Sequence, residues 1–190
     1  MRITLFALTA TAALICAAIF ASAWEACDQN YDDDMQSPTG LVREVRAATE
    51  RFKDVAQAMA AGYAPSHGCV SGPQEGAMGL HLVDNELVGD GTLDAAHPEA
   101  LLYEMRNGQL RLLGVEFIVP AATWHAHSEL PPVLAGQLFH LTDAPNRYGN
   151  PAFYELHVWA WKDNPHGTFV DWNPEVSCEE FTQESMASLH

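Results

Sequence analysis

Residues 98–120 read PEALLYEMRNGQLRLLGVEFIVP. Asn107-Gly108 stands between two apolar runs, and a two-residue turn of that composition calls for a type I′ hairpin. Such a loop fixes the register. Arg106 faces Gln109, Met105 faces Leu110, Glu104 faces Arg111, Tyr103 faces Leu112 and Leu102 faces Leu113. The opposed charges of Glu104 and Arg111 favour that pairing. Continued without interruption, the count puts Leu101, Tyr103, Met105, Leu110, Leu112, Glu116 and Ile118 on one face. Leu102, Glu104, Arg111, Leu113, Val115 and Phe117 take the other. Glu116 then falls on an apolar face, where a carboxylate needs a partner or its pKa rises until it is neutral.

Histidines are the available partners. In GAMGLHLV, residues 76–83, His81 points away from Met78, Leu80 and Leu82. In FYELHVWAW, residues 153–161, the odd positions are Phe153, Glu155, His157, Trp159 and Trp161. Both faces of that run are apolar, as expected of a central strand. His81, Glu116 and His157 are therefore expected to converge from three strands. Two imidazoles and a carboxylate with open positions suit a divalent transition metal, with Glu155 orienting an imidazole from outside. The same groups can instead serve as a metal-free acid and base. The plain alternative is a buried histidine bonded to a backbone carbonyl and a carboxylate held by neutral donors. A weaker second candidate lies in WHAHSE, residues 124–129, where His125 and His127 share a face if the segment is extended.

Outward from this centre, residues 38–61 form the clearest helix. Ser37 can cap it, Pro38 suits its first turn and Gly62 ends it. Leu41, Val45, Ala48, Phe52, Val55 and Met59 make one apolar stripe, and Arg43, Arg46, Arg51 and Lys53 lie off it. Beyond Gly62 the period changes to two, with apolar runs near 78–83, 100–105, 110–119, 133–141 and 152–161. The expected fold is α+β: an N-terminal helix packed on a mainly antiparallel, curved sheet or small barrel, spanning 38–178 as one domain. No dinucleotide loop, phosphate loop or GxSxG occurs.

The first 23 residues, MRITLFALTATAALICAAIFASA, read as a signal peptide. Arg2 supplies the positive start and Ala21-Ser22-Ala23 the small-residue cleavage site, with an uncleaved anchor helix as the rival. The expected location is secreted or periplasmic. Residues 24–37 are an acidic tail; Asp28, Asn30 and Asp32 echo a calcium loop, but Asp33 and Thr39 stand where it requires Gly and Glu. Residues 179–190 form a second acidic tail.

An oxidising compartment favours a disulfide. Cys27, Cys69 and Cys178 remain after cleavage, so at most one internal bridge forms. Cys69 with Cys178 is preferred, with Cys27 in the rival pairing. A closure of roughly a hundred residues stabilises by about 4–5 kcal/mol in the loop-entropy model.

The 190 residues carry 9 Lys+Arg against 25 Asp+Glu, a net charge of −16. That balance argues against nucleic acid and anionic membrane surfaces and leaves cations as favoured small partners. An apolar fraction of 48% is ordinary for a globular chain.

GYAPSHGCVSGPQEGAMGLHLV at 62–83 and FYELHVWAWKDNPHGTFVDWNPEVSC at 153–178, with the hairpin between them, resemble a group of exported bacterial proteins. The resemblance implies a secreted single domain with Cys69 and Cys178 as bridge members, and it supplies no catalytic assignment. The reading as a whole is an exported protein that holds copper, zinc or iron at His81, Glu116 and His157, where a bound metal would polarise a substrate or activate water or dioxygen. The alternatives are a metal-free module for a small apolar ligand, a His/Glu lyase or isomerase, and an inert structural role.

Overall fold

The computed structural model describes residues 38–182. The signal peptide, the acidic tail with its calcium-loop echo, Cys27, the Ser37 cap and the last eight residues lie outside the described residues.

The expected single helix is three pieces. Helix α1 spans Pro38–Thr49, a 3₁₀ turn spans Glu50–Lys53, and helix α2 spans Val55–Ala60. The break has two local causes. The Thr49 hydroxyl bonds back to the Val45 carbonyl at 2.6 Å, a contact that bends helices. Asp54 then starts a new helix by accepting the Ala56 N–H at 3.1 Å. The break turns the Phe52 carbonyl outward to receive the buried Tyr103 hydroxyl at 2.6 Å. Leu41, Val45 and Phe52 still form one buried stripe against the sheet.

The sheet strands are β1 (Ala64–Gly72), β2 (Gly76–Val83), β3 (Ala100–Arg106), β4 (Gln109–Pro120), β7 (His140–Thr142) and β8 (Phe153–Val158). They pair in the order β1-β2-β3-β4-β8-β7, antiparallel throughout, and the sheet curls into a half-barrel. A separate two-stranded ribbon joins β5 (Val133–Leu134) to β6 (Gln137–Leu138). Short helices α3 (Asn85–Asp90) and α4 (Ala121–His125) fill connections. Among the described residues, no helix is long and apolar enough to cross a membrane.

The hairpin register holds from Arg106↔Gln109 to Tyr103↔Leu112, and then it slips. Leu102 pairs with Gly114, not Leu113, so Leu113 is the extra residue of a β-bulge. Gly114 is needed there, because a Cβ would sit 2.2 Å from the Val158 carbonyl oxygen. The bulge reverses the facing of everything beyond it. Val115, Phe117 and Val119 join Leu101 and Tyr103 in the main core, under α1 and α2. Glu116 and Ile118 move to the opposite face, correcting the placement by uninterrupted counting. That second face is also buried, because the chain after β8 folds over it and packs Trp159 and Val176 on Leu102 and Leu113. The Cys69–Cys178 disulfide and a backbone bridge between Ala77 and Asn173 tie this cover down.

Glu99 is a buried carboxylate outside the expected site, accepting the Ile118 N–H at 2.9 Å. Burial raises its pKa from 4.5 to about 8, with the charges of Asp90 and Asp94 adding to the rise. Its folded pKa exceeds its unfolded one, so its contribution is fully present below pH 4.5 and is lost as the pH climbs to 8. Across that window the wild-type protein is expected to lose stability, with a contribution from this group of about 1 kcal/mol per pH unit. Urea unfolding at several pH values checks this: Glu99→Gln should flatten the slope, and parallel curves for the two proteins would refute the assignment.

Candidate metal centre

The three expected residues lie on adjacent rungs of the second face. Glu116 pairs directly with His157 across β4 and β8, and with Ala100 across β3. Directly opposed residues bring their side chains together. His81 pairs with Leu102 and Glu116 with Ala100, so His81 reaches Glu116 on the diagonal across β3. His81 Nε2 lies 3.3 Å from Glu116 Oε2. The His81 and His157 rings are 6.0 Å apart at 86°. One ligand atom from each of the three residues lies within 4.8 Å of the others.

Their protonation follows from burial. His81 Nδ1 faces the Gly79 carbonyl at 3.2 Å, which assigns the proton to Nδ1 and leaves a lone pair on Nε2. Burial, with His157 beside it, pushes the His81 pKa down to about 3. Burial pushes Glu116 the other way, well above the usual carboxylate value, and the neighbouring Glu155 adds to the rise by charge and by a shared proton. Burial thus disfavours charge on both His81 and Glu116. Their 3.3 Å contact brings the two side chains together with the imidazole held uncharged by burial.

His157 is fully buried, and neither ring nitrogen has a hydrogen-bond partner. Asp171 Oδ1 lies 3.4 Å from His157 Nδ1, outside hydrogen-bond geometry but close enough for charge to act. Trp159 stacks on the ring at 6.4 Å and 20°. A buried orphan imidazole costs about 1–3 kcal/mol per unsatisfied group.

Three further groups escaped the strand arithmetic. Asp171 enters from the chain after β8, held by the Trp159 indole on the Val170 carbonyl at 2.6 Å and by Asn164 on the Trp172 carbonyl at 2.9 Å. His140, on β7, places Nδ1 3.1 Å from Asp171 Oδ2 and 3.7 Å from Glu155 Oε1. Thr142 donates to Glu155 Oε1. Burial alone would raise Asp171, but the imidazoles of His157 and His140 outweigh it and hold the carboxyl below its usual value. His140, Glu155 and Asp171 make a second, more exposed group of closely spaced ligand atoms. The outer carboxylate beside His157 is thus Asp171. Glu155 instead meets His140 and Glu116, because residues two apart on one strand project in parallel.

The segment expected to be extended at 125–127 is helical up to His125, so His125 and His127 do not share a strand face. His125 Nδ1 meets the Ser128 carbonyl at 2.8 Å and Nε2 meets the Tyr154 hydroxyl at 2.9 Å, which occupies both nitrogens. No protein-family model, curated protein or solved structure matches the chain.

Proposed function

We propose that this protein binds one divalent transition metal ion, such as copper, zinc or iron, through His81, Glu116 and His157. The supporting observation is the pair of unpartnered ring nitrogens on fully buried His157, beside a second imidazole with an inward lone pair. A cation takes one nitrogen of His157 together with the His81 lone pair and gives Glu116 a reason to ionise. The donor set fits: two imidazoles and one carboxylate leave positions for a small ligand. A bound metal would supply Lewis acidity, or lower the pKa of a coordinated water. His81 is held in one tautomer by Gly79, and Asp171 sets the charge behind His157.

Binding must displace the proton of Glu116, so affinity is expected to rise with pH through a window above the ordinary carboxylate range. Zinc titration of metal-free protein in buffers of different ionisation enthalpy should show a single equivalent bound, with proton release that diminishes as the pH rises. Binding without proton release would contradict the ligand role of Glu116.

A metal-free reading draws on one observation. His81 with its lowered pKa and Glu116 with its raised one set a base beside an acid at 3.3 Å, as a lyase or isomerase requires. It leaves His157 without a role, so we place it second; activity that survives exhaustive chelation would reverse the order.

A further inference from the structure

A cavity of about 300 Å³ ends on His81 and Glu116 and does not touch His157. The cluster therefore meets this open space through His81 and Glu116. On its other side Asp171, Glu155 and His140 crowd it. The cavity wall is largely apolar, formed by Val70, Val83, Val88, Ile118 and Phe153. Among the described residues, no Lys or Arg lines it and Glu116 supplies its carboxyl. A cavity of this composition suits a largely uncharged molecule, because away from the cluster a fixed charge would be desolvated without a countercharge.

One wall is aromatic. The Tyr148 ring lies 6.1 Å from Phe153 and 5.5 Å from His67, so a flat guest finds ring edges and faces to pack against. Polar groups line it too: Ser66, Asn85 and Asn150 stand in the wall, and the floor is the cluster. His81 Nε2 and Glu116 are there, and the Tyr148 hydroxyl has only the Met78 sulfur, at 3.7 Å, as partner. Sulfur is a weak acceptor, so this hydroxyl can turn to a better one.

We propose that the cavity binds a small neutral phenol, its ring against Tyr148 and Phe153 and its hydroxyl directed at His81 and Glu116. This rests on the reading of the cluster as a metal centre for what the hydroxyl meets, but not for the cavity itself. The test uses phenol and toluene, which share a ring and differ in the hydroxyl. Both are titrated into metal-free and cobalt-treated protein, with binding followed by ligand-observed NMR and the cobalt site by its visible spectrum. Phenol is expected to bind at least ~10-fold tighter than toluene, because a floor built for a hydroxyl is left unpaired by the analogue. It should also shift the cobalt spectrum, which toluene leaves unchanged. Val88→Trp and Ala152→Phe fill the cavity from different sides, and each should weaken phenol binding at least ~10-fold while leaving cobalt binding intact. Equal affinity for phenol and toluene, an unperturbed spectrum with cobalt bound, or phenol binding untouched in both variants would overturn the proposal. If cobalt does not bind, the metal reading fails alone, and the phenol-to-toluene ratio on metal-free protein still decides the cavity's ligand.

Discussion

His157→Ala is expected to abolish stoichiometric metal binding while leaving the fold in place. Loss of an outer partner of a metal site costs roughly 10–100-fold in affinity, and loss of a ligand should exceed that. The usual objection to such a test, that a buried histidine is also structural, is weak here. Neither ring nitrogen makes a hydrogen bond that the substitution would break. What remains is a cavity under Trp159, costing about 2–4 kcal/mol in a large-to-small change. His157→Phe separates the two effects, since it fills the space without a ligand atom. It should bind no metal and recover much of the lost stability. A His157→Phe protein that still takes up zinc at full affinity would remove His157 from the site.

Breaking the disulfide is expected to have the largest effect on stability. The Cys69–Cys178 bridge spans 109 residues of sequence. For a loop of that length the entropic model gives about 4–5 kcal/mol. In a domain of this size that corresponds to a fall of roughly 10–20 °C in Tm. Thermal unfolding of the Cys69→Ser/Cys178→Ser double variant measures it. The bridge also anchors the chain that carries Asp171 over the second face, so the variant should bind metal more weakly, by about 10–100-fold, even where it remains folded. A variant with wild-type Tm and affinity would show that the cover is held by Trp159, Asn173 and Val176 alone.

The sequence carried the hairpin, the helix-to-sheet change of period, the cysteine pair and the three rungs that meet. Apart from the cysteine pair, which cysteine counting and the resemblance suggested, these are local or periodic signals. Asn107-Gly108 sets a register without knowledge of the rest of the chain, and strand alternation reports which side chains share a face. What escaped is what alternation cannot encode. The bulge at Leu113 reversed the facing of Glu116, and its only trace is Gly114, a residue with many other uses. Strand β1 was missed because APSHGCVSG lacks a period-two pattern. Its ladder breaks between Ser66 and Cys69, where His67 and Gly68 take positive φ. The convergence nevertheless survived the wrong face, because Glu116 and His157 remain opposite each other whichever side they point to. Asp171 lies on an irregular segment with no register to count along. Only its position in the folded cover makes it a neighbour of His157.

The most direct test is elemental analysis of full-length protein, purified without chelator and then exposed to equimolar zinc, copper and iron, beside a His81→Ala/His157→Ala variant. The account predicts close to one metal atom per wild-type chain and none above background in the variant. Wild-type protein with no metal, or equal metal in both, would contradict it.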